Sequence, residues 1–169
     1  MQHFHPLLVH FPVAFLAVAL LLEILFALTR RPLADALARW LLTLGALGSG
    51  LAALTGWLAS QSVARVPSAA HPLVEHRTFG FLTLGTAAAL TFWRWGAARA
   101  GGPRPRALFL AGMIGLGALL FLATREGGEL VYEHGVGTKL TAPGGPLAAP
   151  PGAADSLARR DVPKSTDFR

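Results

Sequence analysis

The chain has no cysteine among its 169 residues, which excludes disulfides, cysteine–zinc sites and thiol chemistry. Any metal ion must therefore be held by His, Glu, Asp or weaker ligands. Charge is also scarce. Only 14% of residues are charged and 53% are hydrophobic, with a mean hydropathy of +0.49. A soluble domain carries about 25% charged residues, so the deficit points to a membrane protein. Basic residues are missing from Met1 to His10, whereas Arg30 and Arg31 follow the first apolar run. That is the reverse of a signal peptide's positive leader, and the run is expected to remain as a span. The net charge of +6 does not imply nucleic acid, because no basic stripe with interleaved aromatics is present. A hydrolase finds no support either, for want of a Ser/His/Asp arrangement or a metalloprotease helix motif.

What is present is helix-length apolar sequence. Four segments, at about 7–28, 40–60, 76–95 and 107–124, reach or approach the roughly 20 residues needed to cross a bilayer. The last is short and is expected to continue past Arg125. Arginine clusters beside two of the connections: Arg30, Arg31 and Arg39 at the first, and Arg94, Arg99, Arg104 and Arg106 at the third. The positive-inside rule makes these connections cytoplasmic and puts both termini outside. Trp40 and Trp57 lie about 25 Å apart along a helix, a spacing that suits two interfacial belts.

The second and fourth segments carry rows of small residues: Gly45, Ser49 and Ala53, then Ala46 and Gly50, and later Ala107, Ala111 and Gly115. Such rows allow close helix approach in lipid, or leave room for a flat cofactor. Residues 141–154 are mostly Ala, Pro and Gly, and the remainder to Arg169 is polar. Without an apolar pattern this tail cannot offset its ordering entropy, so 1–140 reads as the membrane domain and 141–169 as a flexible extracytoplasmic tail.

Two of the apolar segments open with one phrase: His5-Pro-Leu-Leu-Val-His10, then His71-Pro-Leu-Val-Glu-His76. Two similar hairpins are implied. Proline is favoured at a helix start, which makes His5 and His71 caps and puts His10 and His76 one turn inside at equal depth. Pro12 disfavours helix at Phe11, so the first helix is expected to kink or begin there. All six histidines, His3, His5, His10, His71, His76 and His134, then fall at one membrane face. An imidazole pair on two helices suits axial ligation of a b-type haem or a transition-metal site of His nitrogen and carboxylate oxygen. His10 and His76 are the first candidates, with His5, His134 and Glu129 next, His71 weaker and His3 weakest. Simple capping or hydration of interfacial histidines is the bland alternative.

Residues 127–137 place glycines on both sides of Glu129, Leu130, Val131, Tyr132 and His134. Glycine permits tight or left-handed backbone, so this stretch reads as a cap over the histidines or as an interfacial anchor. Glu23 is the one acidic residue inside an expected span, a functional candidate by default. Arg39 or Arg94 could pair with it structurally, and a proton relay is the alternative.

His5-Pro-Leu-Leu-Val-His10-Phe11-Pro12, together with Gly127-Gly128-Glu129-Leu130-Val131-Tyr132 and His134-Gly135-Val136-Gly137, resembles a bacterial membrane family catalogued as domain of unknown function 2231. The resemblance covers about residues 3–140 and includes His76. It implies a four-helix protein of the bacterial inner membrane, and it fixes no cofactor. The sequence thus describes an all-α integral membrane protein, a four-span bundle of two pseudo-repeated hairpins. Its expected role is electron transfer through a haem b or transition-metal ion, with the bilayer, a quinone or a periplasmic redox protein as partners. A non-enzymatic membrane scaffold or subunit is the alternative. A transporter ranks third, because polar residues deep in the spans are few.

Overall fold

The computed structural model describes residues 4–63, 69–100 and 105–136. They form four helices: α1 (Phe4–Thr29), α2 (Pro32–Val63), α3 (Ala70–Ala100) and α4 (Arg106–Tyr132). The expected tail at 141–169 and His3 lie outside the described residues. At 1.5 Å per residue each helix is about 39–48 Å long, more than the roughly 30 Å hydrocarbon core. Among the described residues, stretches long and apolar enough to cross a membrane occur at His5–Thr29, Pro32–Ser60 and Arg106–Tyr132. The third helix falls short of that measure because it carries Glu75, His76, Arg77, Thr83 and Arg94. Its deepest polar side chains, Thr83 and Arg94, are buried in the bundle.

The first hairpin closes in two residues. Arg30 takes a left-handed conformation (φ 59°) and donates its N–H to the Phe26 carbonyl at 2.9 Å. Pro32 then begins α2, where its missing N–H is no loss. The α1 helix packs chiefly on α2, and α3 on α4. The two hairpins join through α2 and α3 and, to a lesser extent, through α1 and α4. Leu16, Ala19, Leu42, Ala87, Leu90, Phe109, Met113 and Leu116 form the main core. Large apolar side chains such as Leu21, Leu47, Phe92 and Phe121 cover the outside, as lipid-facing helices require.

Pro12 does not start α1, which runs from Phe4 through it. Pro6 and Pro72 sit at the third position of their helices, within the first turn, where no intrahelical partner is needed for the nitrogen. Consequently His5 and His71 are helical and do not cap. Pro12 is buried, and its ring lies 3.3 Å from where a Cβ on Gly48 would stand. Gly45 admits Leu16 even more closely, at 2.5 Å from the equivalent position.

The small-residue rows divide. Gly45 serves close packing, whereas Ser49 and Ala53 line a cavity. On α4 the expected row is exposed at Ala107, Ala111 and Gly115. Gly112 and Gly117 instead receive Leu90 and Leu20. The fourth helix does continue past Arg125, to Tyr132.

Candidate functional site

Histidines 5, 10, 71, 76 and 134 all lie at the end of the bundle where α1 and α3 begin and α2 and α4 finish. His5 and His76 are brought together there, with ring centroids 6.3 Å apart and ring planes at 81°. Each ring is seated against a glycine of its neighbouring helix. A Cβ on Gly56 would stand 2.8 Å from His5 Cε1, and one on Gly127 would stand 3.0 Å from His76 Cε1.

Hydrogen bonds fix both rings by the same nitrogen. His76 Nδ1 donates to the Ala123 carbonyl at 2.9 Å. His5 Nδ1 lies 3.2 Å from Thr55 Oγ1, whose own proton is directed to the carbonyls of Leu51 and Ala52. The hydroxyl oxygen therefore accepts, and His5 donates. In the neutral imidazole one nitrogen is the donor and the other the acceptor, so each ring keeps its Nε2 lone pair for another partner.

The pair borders a cavity of about 520 Å³, walled by all four helices. Most of its wall is apolar, including Val9, Trp57, Phe81 and Leu120, with Ser49, Ser60, Thr83 and Arg77 as polar points. Its size lies within the roughly 300–1,000 Å³ of small-molecule sites.

His10 is not the partner of His76. It borders the same cavity but is exposed, and its Nδ1 donates to the Pro6 carbonyl of its own helix. The reason is angular. Five residues turn a helix by about 140°, so the two histidines of one phrase cannot face the same way. In the first copy His5 faces inward, and in the second His76 does. The pairing is thereby offset by five positions of the phrase, about 7.5 Å of helical rise. His71 is exposed and lies 3.7 Å from Glu75 one turn on.

Glu129 and His134, the other expected ligands, do not line the cavity. They meet each other and Glu133 at the end of α4. The expected ligand set is thus split between two places. Gly127 and Gly128 are helical and serve no left-handed turn; that conformation falls at Gly135, with φ 63°. The Val136 N–H then reaches back to the Leu130 carbonyl at 2.8 Å, and both side chains pack with Ala69 and Leu73.

At the opposite end, Glu23 is 3% exposed and pairs with Arg94, itself 2% exposed. Arg94 Nη2 also donates to Asp35 Oδ1 at 2.8 Å and to the Asp35 carbonyl at 2.9 Å. Arg39 completes the network on Asp35 Oδ2 at 3.0 Å. Of the two arginines expected near Glu23, Arg94 is the one that holds it.

Sequence reasoning passed over Gly56, Thr55, Glu133 and Glu126. A Thr-Gly pair two turns from a helix end signals nothing alone; it acquires meaning only against His5. Glu126 is 6% exposed, and its position three residues after Ala123 and four before Leu130, both buried, was the available sign.

A family model described as predicted membrane protein (DUF2231) matches residues 2–140. The chain belongs to this family. No curated protein and no solved structure matches it. The DUF2231 match takes in all four helices and both histidine phrases, so the cavity and the α4 terminus lie inside the family's own span.

Proposed function

We propose that this DUF2231 protein carries a haem b or a transition-metal ion between His5 and His76 and passes electrons at the histidine end of the bundle. The His5–His76 pair carries the reading: two imidazoles from different hairpins, each with Nδ1 committed and Nε2 open, beside an apolar cavity. The two rings, 6.3 Å apart, would hold the group through their Nε2 atoms, as neutral imidazoles hold haem iron or a transition-metal ion.

When bound, a b-type haem supplies reversible one-electron chemistry. Within the chain, His5 and His76 would be the ligands, while Thr55 and the Ala123 carbonyl hold the ring orientations. Gly56 and Gly127 give the rings room. Arg77, at the cavity wall and exposed, can meet an anionic substituent of the occupant. The apolar wall excludes water and so tunes the potential.

Arg30, Arg31, Arg39, Arg94 and Arg106 gather at the opposite end, which supports its placement on the cytoplasmic side of a bacterial inner membrane. The histidine end and both termini then face outward, toward a quinone in the bilayer or a periplasmic redox protein. Oxidised and reduced visible spectra of the detergent-purified protein, with metal analysis, test the reading. The expected result is a low-spin haem spectrum that His5→Ala and His76→Ala abolish and His10→Ala keeps. Protein with neither haem nor stoichiometric metal would overturn it in favour of a scaffold.

A further inference from the structure

A second group of ligand-type side chains lies where α4 ends. Glu129 and Glu133 are one helical turn apart, and His134 follows directly. One ligand atom from each lies within 4.8 Å of the other two. His134 Nε2 stands 4.0 Å from Glu129 Oε1, too far for a hydrogen bond. Bonds of about 2.0–2.2 Å to a shared ion put neighbouring ligand atoms about 3–3.5 Å apart. Small side-chain rotations therefore close these three on a cation, whereas direct bonding to one another leaves one carboxylate over.

The electrostatics point the same way. Among the described residues, no Arg or Lys pairs with Glu129 or Glu133. Glu126 lies on the same stripe of α4, within about 60° of both at 100° per residue. It is 6% exposed, and no described residue is hydrogen-bonded or ion-paired to it. Burying a carboxylate is costly, and a nearby cation offsets the cost. Three carboxylates at a helix C-terminus also add to the negative end of its macrodipole. The surroundings thus call for a cation, and the left-handed turn at Gly135 with Val136 packed on Leu130 holds His134 in place to receive one.

We infer that Glu129, Glu133 and His134 form a binding site for a divalent transition cation of the zinc class, distinct from the His5–His76 cavity. One nitrogen and two carboxylate oxygens are a donor set such ions accept. The ion would brace the last turns of α4, where Gly127, Leu130, Val131 and Tyr132 wall the cavity.

The test uses the full chain in detergent, stripped with chelator and dialysed against Zn²⁺, with Co²⁺ as a spectroscopic substitute. One saturable Zn²⁺ per chain is expected beyond any ion held by His5 and His76, with visible Co²⁺ bands of nitrogen–oxygen coordination. Glu129→Gln with Glu133→Gln, and separately His134→Ala, should each weaken binding about 10-fold or more, since even loss of a ligand's supporting partner costs about 10–100-fold. Melting curves of the metal-free variants check that they fold, and the half-exposed site at the end of α4 should leave them close to the parent. His71→Ala and His10→Ala should bind normally. Absence of saturable binding, or binding unchanged in both cluster variants, overturns the inference. Binding lost in His5→Ala/His76→Ala but kept in the cluster variants also overturns it, and assigns the ion to the cavity.

Discussion

At one end of the bundle Glu23, Asp35 and Arg94 touch, and Phe109 links them to the core of Leu16, Leu42 and Met113. At the other, His5 and His76 stand with an open nitrogen each beside about 520 Å³ of cavity. Both ends place polar groups inside an apolar protein. At the arginine end Glu23, Asp35, Arg39 and Arg94 form one network of opposite charges, and Phe109 lies under the Arg94 guanidinium, 5.2 Å away. The histidine end uses groups that are neutral when unprotonated, and so tolerates empty space beside them. Polar residues that hold a fold together are mutually satisfied; those that await a ligand are satisfied on one side only.

Breaking the closed end should give the largest effect. Arg94→Ala removes the buried counter-charge of Glu23, and loss of one partner of a buried pair costs about 3–5 kcal/mol. Denaturant unfolding in detergent would register it. The paired change Glu23→Leu/Arg94→Leu should cost less, because apolar replacement of both partners is often near neutral. Equal losses would mean that the network does not stabilise this end through its charges. A smaller loss, about 1–3 kcal/mol from overpacking, is expected for Gly45→Ala, whose new Cβ would stand 2.5 Å from Leu16 Cδ2. A shifted thermal midpoint is the readout.

Residue types and their order were enough to describe the four helices, their hairpin order and the gathering of histidines at one end, because apolar length and proline placement are local properties. The Glu23–Arg94 contact was legible in part, since a lone acid inside a span needs a partner and only two arginines lay within reach. The pairing of His5 with His76 was not. It depends on the rotation of α1 about its own axis, which is set by Gly45 and Gly48 admitting Leu16 and Pro12. Nothing in the repeated phrase encodes that rotation. For the same reason Glu129 and His134 looked like neighbours of the pair, although the end of α4 turns them away from the cavity wall.

The two inward histidines sharpen the comparison on a smaller scale. His76→Ala removes the bond to the Ala123 carbonyl and should cost about 0.5–1.5 kcal/mol in the ligand-free protein. His10, exposed and bonded only within its own first turns, should change stability by no more than about 0.5 kcal/mol when replaced by Ala. Parallel melting curves of the two variants decide the matter. Equal costs would mean that the phrase's second histidine has one role in both copies, contrary to the opposite facings described above.

The smallest effect concerns Gly80, and its sign matters more than its size. A Cβ at Gly80 would meet nothing within 4 Å, although the residue lines the cavity. Gly80→Ala should therefore leave stability unchanged or raise it by up to about 1 kcal/mol, the helix preference of alanine over glycine. The same chemical change at Gly45 should destabilise, so one substitution made at two depths of the bundle separates filled space from empty. Gly80→Leu carries the contrast further, because its side chain can enter the cavity without displacing backbone. Stability like that of the parent, together with loss of whatever the cavity binds, is the expected result. A destabilisation matching that of Gly45→Ala would mean that the histidine end is as tightly packed as the arginine end, and the difference between them would disappear.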